Sequence, residues 1–257
     1  MQKTIFDIGA HTGKDSLFYL LKGFKVIGVE ANPELVKELK ITLKKYIDSG
    51  DYILIDKALS NSNVACIKFY INNVQTDWGT LFNKWNRSMS NTFEEIEVEA
   101  ITAEQLINTY GIPYYMKIDI EGSDVMVLDT LLELKQKPLY LSIELLTPDN
   151  WDSRNVDYLE ILRKVKLLGY TKFIISDQSK HGISGGQLSP PCPSLEGEYV
   201  QYSFDGQTSG LFGKEIFGTH KQIDYELIIE KYSSYFTTGI NNDIFHNNGW
   251  FDMHCTY

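Results

Sequence analysis

Hydrophobic positions in the N-terminal quarter alternate between short apolar runs and stripes at helical spacing. The first run is Ile5, Phe6 and Ile8, and stretches 25–30 and 52–55 form the second and third. Two helical stripes separate these runs, and they consist of Leu17, Phe18, Leu20 and Leu21, and then of Leu35, Val36, Leu39 and Leu43. The pattern predicts strand, helix, strand, helix, strand, which is typical of a parallel sheet.

The alternation pauses after the third strand and then resumes. We predict half-exposed strands at 65–71 and 96–101, and we interpret the polar stretch 72–93 as an excursion from the core. Thr102 and Gln105 have capping-box spacing and predict a helix start. The later apolar runs predict strands at 114–121, 139–145 and 171–176, and helices at 102–110, 123–134 and 156–168. The fold class is therefore α/β, a mostly parallel sheet with helices on both faces.

Beyond residue 176 the sequence becomes rich in glycine and proline. Stretch 177–197 is typical of a lid or a binding loop. We predict a closing seventh strand at 198–204 and a last helix at 223–236. The chain is thus expected to be a single domain over residues 1–257, in which the loop-rich part 177–257 completes the sheet and covers the site formed by the core 1–176.

The composition narrows the classes of partner. The formal net charge is -10, which disfavours binding to nucleic acid or to anionic lipid. The three cysteines form no C-x-x-C pair, which favours a reduced, cytoplasmic setting. No apolar run reaches the roughly 18 residues that a membrane span needs, and no signal-peptide pattern is present. Because a strand begins within a few residues of Met1, we expect that a preceding helix is missing or was removed.

The loop after the first strand has the pattern D-x-G-x-x-x-G, from Asp7 to Gly13. Gly9 allows a sharp turn and a close approach of backbone to a ligand, and the helix after Gly13 offers free N–H groups. A dinucleotide loop is expected to read G-x-G-x-x-G, but His11 and Lys14 replace the other glycines. The loop predicts a nucleotide-type ligand and argues against a pyrophosphate.

Glu30 ends the second predicted strand, where a carboxylate can accept both hydroxyls of a ribose. NAD and S-adenosylmethionine sites share this feature. Glu30 therefore indicates an adenosine-type ligand and leaves both open.

The run Tyr115 to Gly122 combines a buried strand with three ionisable residues. A strand period of two places Lys117, Asp119 and Glu121 on one face. Charges on a core strand are costly unless they pair with each other or with a ligand. Because ligands bind at the carboxyl ends of parallel strands, we predict a functional site here.

Glu144 occupies the matching place on the next predicted strand. Asp7, Glu30, Asp119 and Glu144 would then form an acidic rim that suits a cationic sulfonium. We predict no resident metal, since the five histidines and three cysteines show no zinc-type spacing. A divalent ion held by Asp119, Glu121 and Glu144 is the alternative. Trp78, Trp85 and Trp250 could stack on a flat ligand, although core packing would also explain them.

Five segments together resemble one known family. FDIGAHTGKDS, VIGVEANP, DKALS, MKIDIEG and LSIELL follow the order and spacing found in FkbM-type methyltransferases, which use S-adenosylmethionine. The resemblance spans roughly 4–176 and extends loosely to SGLFG and GWFDMH near the C-terminus. It implies a Rossmann-like class I methyltransferase fold, with six parallel strands and one antiparallel strand.

The resemblance also implies roles for individual residues. The loop would hold the methionine part of the donor, Glu30 the ribose, stretch 56–58 the adenine, and Asp119 the reactive end. The implied S-adenosylmethionine contacts are Asp7, Gly9, Ala10, His11, Thr12, Gly13, Glu30, Ala31, Asp56, Lys57, Ala58 and Asp119.

The predicted function is methyl transfer from S-adenosylmethionine to a hydroxyl, often that of a sugar or glycan in this family. Asp119 is our first candidate for the base, followed by Glu121 and Glu144, then by His181 or His254 in the part expected to cover the site. Two alternatives stay open: an NAD-dependent sugar oxidoreductase and a ligand-binding module without turnover.

Overall fold

A computed structural model describes residues 2–72, 79–81, 93–148, 157–181 and 194–257. Most of the predicted excursion, including Trp78 and Trp85, lies outside these residues. So does most of the predicted lid at 177–197.

The elements of the described residues follow the predicted alternation. The strands are β1 (Thr4–Ile8), β2 (Lys25–Glu30), β3 (Tyr52–Asp56), β4 (Ala58–Ser60), β5 (Cys66–Asn72), β6 (Phe93–Thr102), β7 (Tyr115–Ile118), β8 (Tyr140–Leu145), β9 (Lys172–Asp177) and β10 (Phe251–Thr256). The helices are α1 (Lys14–Leu21), α2 (Pro33–Thr42), α3 (Lys44–Ser49), α4 (Ala103–Tyr110), α5 (Asp124–Glu133), α6 (Glu160–Leu167), α7 (Gly213–Thr219) and α8 (Tyr225–Thr238), with a 3₁₀ turn at Gln178–Lys180.

Seven strands form one sheet in the order β3-β2-β1-β7-β8-β10-β9. Strand β10 runs antiparallel to both of its neighbours, and the remaining pairs are parallel. Apolar side chains pack on both faces: Phe6, Ile27 and Met116 face one cluster, and Ile5 and Val26 face the other. This topology confirms the Rossmann-like class I methyltransferase fold, with its six parallel strands and one antiparallel strand.

The seventh strand of the sheet is not the predicted one. Stretch 198–204 forms no strand, and the antiparallel position is filled by Phe251–Thr256. Phe251, Met253 and Cys255 alternate into the core, while Asp252 and His254 point to the other face. The hydrophobic pattern did not predict this strand because polar residues occupy alternate positions. These polar residues are buried as well, since both faces of the strand are covered.

The strand that carries the charged run is shorter than predicted. Strand β7 ends at Ile118, because its parallel partner β1 ends at Ile8 and turns into the glycine loop. Asp119 still donates its backbone N–H to the Ile8 carbonyl at 3.0 Å. Glu121 has a φ of 50° and belongs to a turn. Its predicted place on one strand face with Lys117 is therefore wrong, although it still lies at the same sheet edge.

A smaller sheet with the order β4-β6-β5 lies beside the main one. It contains the two predicted half-exposed strands, and the three-residue strand β4 was too short for the pattern to reveal. The predicted capping box is confirmed, since Thr102 and Gln105 exchange both hydrogen bonds at the start of α4. Among the described residues, no helix has both the length and the apolar character required to cross a membrane.

Candidate functional site

A cleft opens at the carboxyl ends of the parallel strands. The space inside it is about 1160 Å³ when the open solvent at its mouth is included. The lining includes Gly9, Ala10, His11, Thr12, Glu30, Ala31, Lys57, Ala58, Asp119, Glu121 and Glu144. The structure thus brings most of the predicted site residues to one place.

The glycine loop fits closely between two neighbouring strands. The N–H groups of Gly9 and Ala10 both donate to the Val29 carbonyl at 3.0 Å. Gly9 has a φ of 87°, and a Cβ there would lie 1.8 Å from the Asp119 carbonyl oxygen. Only glycine lets the loop approach Asp119 this closely. The close contact that requires glycine at this position is therefore with the backbone of Asp119, and the predicted approach of Gly9 to a ligand stays a prediction.

Glu30 connects the glycine loop to the end of β2. Its carboxylate accepts the His11 N–H at 2.9 Å and the Asn32 N–H at 2.8 Å. Burial raises the pKa of Glu30 to about 7, against the lowering effect of these backbone N–H groups. Glu30 thus fixes the loop while its carboxylate lines the cleft.

Asp119, Glu121 and Glu144 form the acidic end of the cleft. One carboxylate oxygen from each lies within 4.8 Å of the others. Asp124 shapes the turn that carries the first two, since its side chain accepts the N–H groups of Ile120 at 3.1 Å and Gly122 at 2.9 Å. The three carboxylates are close enough to share one cationic ligand. A carboxylate there can also accept a proton from a second bound molecule.

A buried lysine stands behind this acidic end. The Lys117 ammonium lies 3.2 Å from Asp119, 3.5 Å from Asp15 and 3.8 Å from Asp7. Asp252, 2% exposed, acts on the same lysine from β10. We call Lys117, Asp7, Asp15, Asp119 and Asp252 the Lys117 cluster. Its single cation faces four carboxylates.

The excess of carboxylates shows in the pKa values of the cluster. Burial raises the pKa of Asp7 to about 6 and that of Asp252 to about 7, with Lys117 acting in the opposite direction on both. Burial also raises the pKa of Asp15. Burial alone would lower the pKa of Lys117, but the carboxylates, Asp119 first, hold it well above its ordinary value. The lysine therefore stays charged, and Asp7 and Asp252 are the members whose pKa values lie near neutral pH.

Some predicted residues lie elsewhere. Asp56 points away from the cleft and pairs with Lys40 at 3.0 Å. Asp7 and Gly13 support the glycine loop from behind and do not line the cleft. Lys57 does line it, and its ammonium pairs with Glu99 at 2.8 Å.

The structure does not bring the two candidate histidines to the cleft. His181 Nδ1 lies 2.9 Å from the Thr208 carbonyl, and its ring packs near Phe204. His254 is 1% exposed within β10, and burial lowers its pKa to about 3. The prediction assumed that histidines in the segments expected to cover the site would face the ligand. The side chains of His181 and His254 instead pack inside the protein.

The C-terminal part supplies lining residues that the sequence did not assign. Gln178, Gly206 and Gln207 line the cleft together with Trp250. Lys14 tethers this wall to the start of α1, with 2.6 Å to Asp205 and 2.9 Å to Gln207. Only Trp250 carried a recognisable signal in the sequence, as an aromatic that could stack on a ligand.

The sheet order and the position of the cleft define a Rossmann-like class I methyltransferase. The chain belongs to the Methyltransferase FkbM domain family, which matches residues 7–172. This confirms the resemblance seen in the sequence. Family and fold together support methyl transfer with S-adenosylmethionine as the donor.

Comparison with curated proteins gave no match. Among solved structures, the chain is similar to a precorrin-6y C5,15-methyltransferase from Geobacter metallireducens, with 10% identity, 99% of this chain and 79% of that chain covered, and a TM-score of 0.42. A SAM-dependent methyltransferase from Archaeoglobus fulgidus has 12% identity, coverages of 100% and 86%, and a TM-score of 0.42. A SAH-bound methyltransferase from Podospora anserina has 12% identity, coverages of 68% and 67%, and a TM-score of 0.34. These likenesses are too distant to carry an argument about function.

Proposed function

We propose that this protein is an S-adenosylmethionine-dependent O-methyltransferase that methylates a hydroxyl of a sugar or glycan. The observation that carries the proposal is the shared cleft, where the glycine loop and Glu30 meet the carboxylates of Asp119, Glu121 and Glu144. One end offers adenosine-type contacts, and the other offers groups that can take a proton.

On the donor side, the loop 9–12 contacts the methionine portion and Glu30 accepts the ribose hydroxyls. Ala31, Lys57 and Ala58 line the wall beside Glu30 and adjoin the adenine. In this proposal the positive sulfur lies near Asp119, where negative charge stabilises it.

The reaction is an in-line displacement. The acceptor oxygen attacks the methyl carbon, the carbon–sulfur bond breaks, and the sulfur leaves as neutral S-adenosylhomocysteine. Holding the two reactants aligned can contribute roughly 7–11 kcal/mol. Asp119 takes the hydroxyl proton, a step that contributes about 10²–10⁴-fold. Glu121 and Glu144 are the next candidates for this base.

The acceptor side supports a flat, polar, uncharged substrate. Trp250 is 46% exposed and lines the cleft with the amides of Gln178 and Gln207. An aromatic face packs against the C–H face of a sugar while amides hydrogen-bond its hydroxyls. The carboxylates repel anionic acceptors, and the net charge of -10 disfavours nucleic acid. Cys66 and Cys255 form no disulfide with any described residue, which supports a reduced, cytoplasmic setting.

The donor assignment is tested by thermal shift and calorimetry with S-adenosylhomocysteine and with NAD. We expect stabilisation by S-adenosylhomocysteine and none by NAD. Glu30→Gln is expected to weaken binding by about tenfold or more, since hydrogen bonds to a charged group contribute about 1.5–3 kcal/mol. Glu34→Gln, an exposed change on the next helix, is the control. Stabilisation by NAD alone would support the oxidoreductase alternative. Binding of S-adenosylhomocysteine without transfer to any acceptor would support the ligand-binding module.

A further inference from the structure

The carboxylates of the Lys117 cluster outnumber its one ammonium group. Lys117 is 7% exposed at its side chain, and the side chains of Asp7 and Asp15 are 0% and 5% exposed. Buried charge without a matching partner is costly. The cluster must therefore acquire positive charge from a bound proton or from a ligand in the cleft.

We propose that the Lys117 cluster distinguishes the charged methyl donor from its neutral product, holding a proton when no sulfonium is present and releasing it to solvent when S-adenosylmethionine binds. Asp252 is the residue that sets this preference. The proposal rests on the proposed function, because it assigns the cleft to S-adenosylmethionine.

The geometry places the cluster against the proposed donor position. Asp15, Lys117 and Asp119 line the cleft beside the loop 9–12. Because these three side chains line the cleft themselves, a cation bound in this part of the cleft lies directly beside the Lys117 cluster. S-adenosylmethionine and S-adenosylhomocysteine share the adenosine and the amino-acid groups and differ in the charge of the sulfur. The cluster can therefore distinguish them by electrostatics alone.

Asp252 is the member best placed to hold the exchangeable proton. It lies opposite Glu144 in the pairing of β10 with β8, so the two side chains share one face of the sheet. Its Oδ2 is buried and has no hydrogen-bond partner within the part of the chain that the structure describes. It does not line the cleft and contributes no atom to the reaction. Its pKa of about 7 and the Asp7 pKa of about 6 place the proton exchange in the neutral range.

Charged and titratable groups face the cluster from several elements. They are Asp7 on β1, Asp15 and Tyr19 on α1, Glu30 on β2, Tyr115 and Lys117 on β7, Asp119 after it, Glu121 and Asp124 in the turn and helix that follow, Glu144 on β8, and Asp252 on β10. Glu30 also titrates near pH 7. Glu30 faces the proposed ribose, which both ligands share, so its titration affects both affinities alike. The difference between the two affinities therefore reports on the Lys117 cluster.

The experiment is isothermal calorimetry of the full chain with S-adenosylmethionine and with S-adenosylhomocysteine, without acceptor, at pH 5.5 and pH 8. Each titration is run in two buffers of different ionisation enthalpy, which gives the number of protons released. We expect affinity for S-adenosylmethionine to rise on the order of tenfold with pH, the effect of one unit charge at roughly 12 Å and an effective dielectric constant of about 20. Affinity for S-adenosylhomocysteine should change less. A tenfold effect lowers the pKa of the exchanging group by about one unit, so a further pair of titrations near pH 6.5 should show roughly half a proton more released with S-adenosylmethionine than with S-adenosylhomocysteine.

Asp252→Asn removes the exchangeable group without touching the cleft. We expect it to weaken S-adenosylmethionine binding on the order of tenfold at pH 8, to reduce the pH dependence specific to that ligand, and to leave S-adenosylhomocysteine affinity unchanged. The retained S-adenosylhomocysteine binding shows that the variant is folded. Asp48→Asn, an exposed change on α3, is the matched control and should behave as wild type.

Equal proton release and equal pH dependence for the two ligands would overturn the proposal. An unchanged ratio of the two affinities in Asp252→Asn would also overturn it. If Asp252→Asn fails to fold, the wild-type measurement in two buffers decides by itself. Failure of both ligands to bind at either pH would instead overturn the proposed function, which separates the two claims.

Discussion

Two buried lysines in this protein have opposite electrostatic surroundings. The Lys22 ammonium is fully buried, and among the described residues it meets a single carboxylate, that of Glu215, at 2.9 Å. Ser194 Oγ and the Glu198 carbonyl complete its shell at 2.7 and 3.1 Å. Lys117 instead faces the four carboxylates of its cluster beside the cleft.

The difference separates a structural charge from a functional one. The Lys22–Glu215 pair is neutral, and it fastens the C-terminal part to the end of α1, since Glu215 also accepts the N–H groups of Leu195 and Glu196. The Lys117 cluster leaves negative charge for a ligand to neutralise. A buried ion pair whose charges balance supports the fold, whereas one with an excess at a cleft indicates a binding site.

The largest expected effect concerns the reaction itself. Asp119→Asn removes the proposed base and should lower kcat by about 10²–10⁴-fold, measured with the acceptor identified by transfer assays. S-adenosylhomocysteine binding should persist, because the loop and Glu30 are intact. Glu121→Gln is the matched variant and should have a smaller effect. Near-normal turnover of Asp119→Asn with bound cofactor would show that the base lies elsewhere.

Breaking the balanced pair should cost stability. Lys22→Met leaves the Glu215 carboxylate buried and unpaired, and we expect a loss of about 3–5 kcal/mol in the free energy of unfolding, measured by urea denaturation. Lys37→Met, which breaks an exposed pair with Glu34, should change little. If the free energy of unfolding falls by the same small amount in both variants, the Lys22–Glu215 pair does not stabilise the C-terminal part.

Removing excess negative charge from the Lys117 cluster should instead raise the free energy of unfolding. The pKa of Asp252 is about 7 in the folded protein, above that of an unfolded aspartate. Its ionisation therefore favours unfolding as the pH rises through about 7, and stability is highest below the unfolded pKa. Asp252→Asn does not ionise, so at pH 8 it should be more stable than wild type by about 1–3 kcal/mol, with little difference at pH 4.

Denaturation at the two pH values distinguishes the two lysine sites. Glu215→Gln, which unbalances the Lys22 pair, should be less stable than wild type at pH 8. If Asp252→Asn were also less stable at pH 8, the Lys117 cluster would be balanced, and the contrast would fail.

The smallest expected effect is that of chelation. Because we predict no resident metal, EDTA should leave methyl transfer unchanged, and added Mg²⁺ should not increase it. Loss of activity in EDTA with recovery in Mg²⁺ would assign the carboxylates of Asp119, Glu121 and Glu144 to a metal ion instead.

The sequence could reveal the proposed donor half of the site because its signals are local. The loop 9–12 and Glu30 are fixed by consecutive strand, turn and helix, and both line the cleft. Asp119 and Glu144 followed from the rule that parallel strands present their carboxyl ends at one edge.

The remaining features depend on contacts between distant parts of the chain. Asp15 and Asp252 meet Lys117 from opposite ends of the sequence, and no local pattern connects them. Strand β10 was missed because its polar residues are buried inside a sheet that the sequence alone does not assemble. The end of β7 is set by its partner β1, which is a property of the pairing and not of the run itself.

The most direct test of the account is transfer of a labelled methyl group from S-adenosylmethionine to a panel of monosaccharides, nucleotide sugars and glycans, with the products analysed for the labelled atom. We predict label on a hydroxyl oxygen of at least one acceptor and a large loss of transfer in Asp119→Asn. Label on nitrogen or carbon, or no transfer while S-adenosylmethionine binds, would contradict it.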